Sequence, residues 1–136
     1  MTALTAGRDT RERTGNIREV PVKAATTIFP GAMVAIDSNG YAVPASTATT
    51  LKVIGRAEAL FDNSDGGNGD IKARVAAGIF RYANSASSDL IALPDVGATC
   101  YAVDDQTVAK TNGSSSRSAA GTIFDVDSQG VWVRFA

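Results

Sequence analysis

The sequence contains no histidine and only one cysteine, Cys100. Histidine is the usual general acid or base near neutral pH and the commonest metal ligand, so its absence removes most routes to both kinds of chemistry. A lone cysteine excludes an internal disulfide framework and any site built from several thiolates. Because no histidine can activate it, Cys100 is predicted to be a small core residue. We therefore expect no enzymatic activity and no cofactor.

Clusters of acids suited to catalysis or metal binding are also scarce. Asp104 and Asp105 are the only adjacent acids, and neighbours in a turn more often accept backbone hydrogen bonds than converge on a substrate. Residues 62–70 contain Asp62, Asp65 and Asp70, but they lack the carboxylate spacing and the closing glutamate of an EF-hand. We expect this glycine-rich stretch to be a surface loop and predict no metal site.

Glutamate and lysine, which commonly cover exposed helix faces, are rare. There are 11 aspartates against 3 glutamates, and 4 lysines among 13 cations, a balance that favours turns over helices. The formal net charge of −1 supplies no basic field for a phosphate backbone, so no nucleic-acid partner is expected. No apolar run approaches membrane-spanning length, so no membrane partner is expected either. We expect the protein to be cytoplasmic at synthesis.

The first 19 residues differ in composition from the rest of the chain. They carry alternating arginines and acids, and between Thr2 and Glu19 the only large apolar residues are Leu4 and Ile17. Such a segment cannot bury enough surface to order itself. We predict a flexible N-terminal arm at residues 1–19, which either is a frayed tail or becomes ordered on a partner.

Residues 20–136 alternate short apolar segments with turn residues, and this pattern predicts β-strands. Asn39-Gly40 is a strong hairpin signal, and residues 29–32 (FPGA) suit a type II turn. One short helix is expected after Ser87, ending near Pro94. The predicted fold is mainly β: a compact, single-domain, sandwich- or barrel-like body with one short helix and an extended N-terminal arm. Alanine is abundant and aromatic residues form only 7% of the chain, so the core should be thin.

The end of the chain predicts a hairpin across Ser128-Gln129. Residues of one parity are expected on its core face: Phe124, Val126, Val131, Val133 and Phe135. Trp132 and Arg134 then face the other way. Trp132 either is covered by loops of its own chain or lies in a contact between subunits, where tryptophan is enriched.

Several segments, in this order, resemble the capsid cement (decoration) proteins of tailed phages. They are residues 28–31 (IFPG) with the following Gly40, residues 53–57 (VIGRA), 77–84 (AGIFRYAN), 95–109 (DVGATCYAVDDQTVA), 120–123 (AGTI) and 130–133 (GVWV).

The resemblance implies a structural virion protein on the outer surface of a phage capsid. Its partners would be the major capsid protein and two further copies of itself, as a homotrimer at the threefold and quasi-threefold positions of an icosahedral head. It would stabilise the shell against the pressure of the packaged DNA. The arm would extend over the capsid protein, and its candidate binding residues are Thr2, Leu4, Arg8, Arg11, Arg13 and Ile17. Trp132 and Arg134 are candidate intersubunit contacts.

Two alternatives stay open. A fibre or tail β-domain of a virion would share the structural class without the capsid site. A nucleic-acid- or carbohydrate-binding β-barrel would need a basic groove lined by aromatic residues, whereas the cations here are scattered among aspartates.

Overall fold

Short apolar segments separated by turn residues form twelve β-strands in the computed structural model, which describes residues 2–136. The strands are β1 (Ile17–Pro21), β2 (Thr26–Ile28), β3 (Met33–Ile36), β4 (Ala42–Pro44), β5 (Lys52–Ala57), β6 (Phe61–Asn63), β7 (Lys72–Ala76), β8 (Gly78–Tyr82), β9 (Thr99–Ala102), β10 (Val108–Ala109), β11 (Ala119–Asp127) and β12 (Gly130–Phe135). The predicted mainly β class is confirmed.

The first half of the chain forms a five-stranded antiparallel sheet in the order β1-β7-β5-β3-β4. Just after β1, Val22 forms a parallel bridge with Ala42 at the start of β4, and the Lys23 amide donates to the Ala42 carbonyl at 3.2 Å. The two edge strands therefore meet. The short pair β2-β6 lies beside this sheet, and its Ile28 and partly buried Phe61 pack into the same core.

The second half forms another five-stranded antiparallel sheet in the order β10-β9-β11-β12-β8. Here too the edges meet, because Ala83 after β8 bridges Thr107 before β10. The Ala83 amide donates to the Gln106 carbonyl at 2.8 Å, and the Val108 amide donates to the Ala83 carbonyl at 3.0 Å. Each sheet thus curls until its outer strands meet, which gives a barrel-like form.

Each curled sheet encloses its own hydrophobic core. The first core comprises Val20, Val22, Ile28, Ala32, Val34, Ala42, Ile54, Ala57, Ala73 and Val75. The second comprises Met33, Ala45, Tyr82, Ile91, Cys100, Ala102, Val108, Ala120, Ile123, Val131, Val133 and Phe135. Alanine and valine predominate in both, as the composition predicts, and Tyr82 and Phe135 are the only aromatic members.

The two sheets form one continuous body. Met33 of β3 lies in the second core, and its amide donates to the Asp105 carbonyl at 2.8 Å. The Tyr82 hydroxyl donates to the Gly31 carbonyl at 2.9 Å. The single residue Ala77 separates β7 from β8, which belong to different sheets. Residues 71–82, which read as one interrupted strand in the sequence, are therefore two strands that change sheet before Gly78.

Two single-turn 3-10 helices, Ser87–Asp89 and Leu93–Asp95, replace the one short helix predicted for this region. Asn84 explains the difference: its side chain accepts from the Ile91 amide at 3.0 Å and donates to the Ile91 carbonyl at 2.8 Å. Both Ile91 backbone groups are thereby withdrawn from any helix. With Ile91 buried in the second core, the segment is held by side chains instead.

The predicted turns form where local chemistry specifies them. Gly40 has φ +89° between β3 and β4, and the Asp37 carboxylate accepts the Asn39 and Tyr41 amides at 2.9 and 3.0 Å. In the FPGA turn, Gly31 has φ +85°. Both glycines occupy the left-handed region that other residues rarely adopt.

A buried asparagine holds the loop that follows β6. The side chain of Asn63 is 3% exposed, and its Nδ2 donates to the carbonyls of Val22, Lys23 and Gly67 at 3.2, 2.9 and 2.9 Å. Within the same loop, the Asn68 side chain accepts the Ala24 amide at 2.8 Å. Residues 64–70 are therefore fastened to the end of β1.

Candidate interaction surfaces

The N-terminal arm leaves the body without folding back on it. Residues 2–16 are exposed throughout. Among the described residues, no hydrogen bond or ion pair joins residues 2–15 to the remainder of the chain, and the first link is the Asn16 carbonyl, which accepts the Ala77 amide at 2.8 Å. Fifteen residues of extended chain can reach up to about 50 Å.

Of the six candidate arm residues, five lie on this exposed segment: Thr2, Leu4, Arg8, Arg11 and Arg13. Leu4 is 72% exposed. Ile17 does not belong with them, because β1 begins at Ile17 and pairs it with Ala76 of β7. Residues 17–19 of the predicted arm are thus part of the first sheet, and Met1 lies outside the described residues.

Trp132 lies on the outer face of the second sheet, as its parity predicts. Its indole N–H donates to Asp127 Oδ2 at 2.9 Å, and the guanidinium of Arg81, its register partner on β8, lies 5.5 Å from the ring centroid. The hydrogen bond from Trp132 is the main reason that the pKa of Asp127 is lowered. Side chains of the same chain therefore cover part of the ring, which remains half-buried.

Arg134 is exposed on the same face, with its guanidinium 5.0 Å from the ring centroid of Phe124. Phe124 was predicted in the core, but it is 47% exposed, and Ile123 takes the core position at 1% exposure. A β-bulge between Ile123 and Asp125 shifts the register with β12 and reverses the parity. The core positions predicted for Val131, Val133 and Phe135 are confirmed.

Exposed apolar side chains form two further surface patches, which the sequence pattern does not indicate. In the first, Phe29 and Leu60 are 61% and 53% exposed; Phe29 follows Ile28, and Leu60 precedes Phe61, the register partner of Ile28. The second lies on residues 90–96, where Leu90, Leu93 and Val96 are 49%, 63% and 45% exposed. Exposed apolar patches commonly mark contacts with other macromolecules.

Cys100 lies in the second core, as predicted, and is fully buried. Its Sγ is 3.6 Å from the Gly121 carbonyl oxygen. Burial raises the pKa of the thiol to about 11, so it carries almost no thiolate near neutral pH. A protonated, inaccessible thiol is a poor nucleophile and a poor metal ligand.

Two of the three aspartates of the loop at residues 62–70, Asp62 and Asp70, accept hydrogen bonds within the chain. Asp62 accepts hydrogen bonds from the Ser64 amide and the Thr27 hydroxyl at 3.0 and 3.1 Å, and the hydrogen bonds from Ser64 are the main cause of its lowered pKa. Asp70 Oδ2 accepts the Gly67 amide at 2.8 Å. Within residues 2–136, no three His, Cys, Asp or Glu residues are grouped so as to hold a metal ion.

A groove of about 440 Å³ separates β5 of the first sheet from β11 of the second. Three cationic side chains line it: Arg18 of β1, Lys52 of β5 and Arg134 of β12. None of the three takes part in an ion pair within the described chain. Because they come from distant parts of the sequence, only the fold brings them together.

Comparisons with protein-family models, with curated proteins and with solved structures find no match to this chain. Across residues 2–136, no helix has the length and apolar character needed to cross a membrane.

Proposed function

We propose that this chain is a structural virion protein that binds the outer surface of a tailed-phage capsid and stabilises the shell. The observation that carries the proposal is the exposed arm of residues 2–16, which makes no hydrogen bond to the body before Asn16. The resemblance of the body segments to capsid cement proteins names the partner as the major capsid protein. The enclosed cores and the absence of histidine favour a structural role over an enzymatic one.

An exposed arm suits the attachment of many copies to a large surface. Ordering such a segment opposes binding, so a single arm binds weakly. If subunits are linked in a trimer, however, attachment of one arm raises the local concentration of the other two at their own sites. The stability of the attached layer then exceeds that of any one contact.

A homotrimer needs two different surfaces on each subunit, because the interface in a closed ring of three is heterologous. The body has more than one candidate surface for this interface. The Phe29–Leu60 patch and the patch on residues 90–96 are exposed and apolar. On the outer face of the second sheet, the Arg81 guanidinium lies over the Trp132 ring and the Arg134 guanidinium lies over the Phe124 ring.

The arm is tested by deleting residues 2–14, which keeps Asn16 and the whole of β1. A deletion to residue 19 would remove three paired residues of the first sheet and would confuse loss of folding with loss of binding. The truncated protein should melt within about 2 °C of the full chain and should no longer sediment with expanded capsids that lack this protein. Co-sedimentation equal to that of the full chain would remove the arm from the mechanism.

The trimer is tested by multi-angle light scattering of the full chain with and without capsids. Trp132→Ser and Arg134→Ser should reduce the trimeric fraction, whereas Arg74→Ser, an exposed change on β7, should not. Equal self-association by all three variants would exclude the Trp132 face as the subunit contact.

The position of the protein in a virion reconstruction distinguishes the alternatives. Density on the outer capsid supports the cement function, and density confined to the tail or fibres supports a fibre or tail domain. A nucleic-acid- or carbohydrate-binding barrel is less favoured, because no aromatic residue lines the cationic groove within the described chain. Salt-dependent retention on DNA would revive it.

A further inference from the structure

The groove between β5 and β11 differs in charge from the other surface grooves of the described chain. Its lining includes Arg18, Lys52, Ile54, Ala120, Thr122 and Arg134, with no acidic side chain. Both Arg81 and Asp105 line the groove beside Phe29, and both Lys23 and Asp37 line the groove beside β4. Only the β5–β11 groove thus presents several cations without a neighbouring carboxylate side chain among these sites.

Strand β5 is incompletely paired along this groove. Residues 52–56 pair with β3 on one side, apart from the bulged Ile54. On the other side, β7 pairs only with Arg56 and Ala57, because the chain leaves the first sheet after Ala76. Ile54 and Gly55 are buried, and Gly55 lies against the Ala76 carbonyl, so only Lys52 and Val53 of β5 face the groove without a partner strand. An extended peptide can lie beside this short stretch.

We propose that the β5–β11 groove binds an extended, acidic segment of a partner protein. The segment lies in the groove beside Lys52 and Val53, and its carboxylates pair with Arg18, Lys52 and Arg134. Guanidinium groups bind carboxylates with two parallel hydrogen bonds, which favours arginine at two of the three positions. This inference goes beyond the capsid proposal, and because Arg134 is also a candidate subunit contact, it requires that Arg134 stays accessible when subunits associate.

The groove fits a polypeptide better than a nucleic acid. Leu51, Val53 and Ile54 give it an apolar side, which suits the alternate side chains of an extended peptide. Single-stranded nucleic acids bind through aromatic platforms for their bases, and no aromatic side chain lines the groove within the described chain.

The test uses a fluorescein-labelled peptide of four Asp-Val repeats, with an Asn-Val peptide of equal length as the uncharged probe. The groove variant combines Arg18→Gln, Lys52→Gln and Arg134→Gln. Its matched control combines Lys23→Gln, Lys72→Gln and Arg74→Gln, three exposed cations outside the groove. Both variants lose three positive charges, so a general effect of net charge would weaken them equally.

Fluorescence anisotropy at low salt should show saturable binding of the Asp-Val peptide to the wild type. The groove variant should bind it at least about tenfold more weakly, and the control within about twofold of the wild type. The Asn-Val peptide should bind more weakly than the acidic one, and added salt should reduce the difference. Thermal melting of each variant confirms that it is folded.

Two results would overturn the inference directly: no saturable binding of the Asp-Val peptide, or equal binding of that peptide by the groove variant and its control. A third would also overturn it: inorganic phosphate or a thymidine oligonucleotide displaces the labelled peptide at a lower concentration than the unlabelled peptide does. That result would identify a phosphate site. No capsid enters this assay, so its failure leaves the cement function untouched, and failure of capsid binding leaves the groove untouched.

Discussion

Replacing Asn63 by aspartate exchanges an NH₂ group for an oxygen while keeping the shape of the side chain. In the native protein the two Nδ2 protons serve three carbonyl oxygens, at 2.9, 2.9 and 3.2 Å. In Asn63→Asp, an ionised carboxylate faces the same carbonyls and donates nothing. Because the site is only 3% exposed, water cannot replace the lost donor.

The expected destabilisation follows from these contacts. Loss of the bonds amounts to about 2–3 kcal/mol at about 1 kcal/mol each, and the unsatisfied, repelling oxygens add about 1–2 kcal/mol. The total of about 4 kcal/mol is a large part of the 5–15 kcal/mol typical of a domain. For a chain of this size the melting temperature should fall by about 14 °C.

The pH dependence has a definite sign. Burial and the facing carbonyls raise the pKa of the introduced carboxyl in the folded state above its ordinary value, so the folded variant binds the proton more tightly than the unfolded chain. The deficit relative to wild type is therefore smallest below the unfolded pKa near about 4. It grows as the pH rises through the folded value.

Urea unfolding, followed by the fluorescence of the single tryptophan at pH 7 and pH 4, measures both effects. The control is Asn68→Asp, since Asn68 is exposed and already accepts its hydrogen bond from the Ala24 amide; it should change stability by less than about 0.5 kcal/mol. A deficit for Asn63→Asp below about 1 kcal/mol, or equal to that of the control, would refute the assigned donor role.

Three further predictions concern the body. Gly55→Ala should destabilise the protein by at least about 3 kcal/mol in urea unfolding, because its Cβ would lie 2.1 Å from the Ala76 carbonyl oxygen at φ +153°; wild-type stability would contradict the strand packing. Cys100 should not react with Ellman's reagent at pH 8 until urea unfolds the chain, given its burial and raised pKa; rapid reaction of the folded protein would contradict the core assignment. Asp89 and Asp127 have lowered pKa values, mainly from hydrogen bonds donated by Thr111 and Trp132. Both carboxylates therefore stabilise the fold above the unfolded pKa, and the melting temperature should fall as the pH drops below about 4. Asp89→Asn should flatten that fall; an unchanged slope would show that the hydrogen bonds of Asp89 contribute little.

Local turn chemistry made much of the fold predictable from the sequence. The hairpin around Asn39-Gly40 and the FPGA turn both form, with Gly40 and Gly31 at positive φ, whereas Asn39, which was also expected to accept positive φ, does not adopt it. The sequence also predicts the terminal hairpin correctly. It does not predict which side chains of β11 face the core, because the bulge that exposes Phe124 depends on pairing with β12, which alternation alone does not encode.

Non-local arrangements could not be derived in this way. Nothing near Gly78 indicates that the strands on either side of it belong to different sheets. In the sequence, Asn63 resembles any asparagine beside a glycine-rich loop; only the fold brings the distant carbonyls of Val22 and Lys23 to its side chain. Arg18, Lys52 and Arg134 are isolated cations in the sequence, and they become a single groove only after both sheets are folded.

The link between Asn16 and Ala77 has a mechanical consequence. The arm joins the body where the Asn16 carbonyl accepts the amide of the one residue that connects the two sheets. If a partner holds the arm, tension reaches β1 from its first residue. A pull along the strand loads all five registered pairs between β1 and β7 together, so they must shear at once instead of parting one by one. The joint between arm and body therefore resists a pull directed along β1.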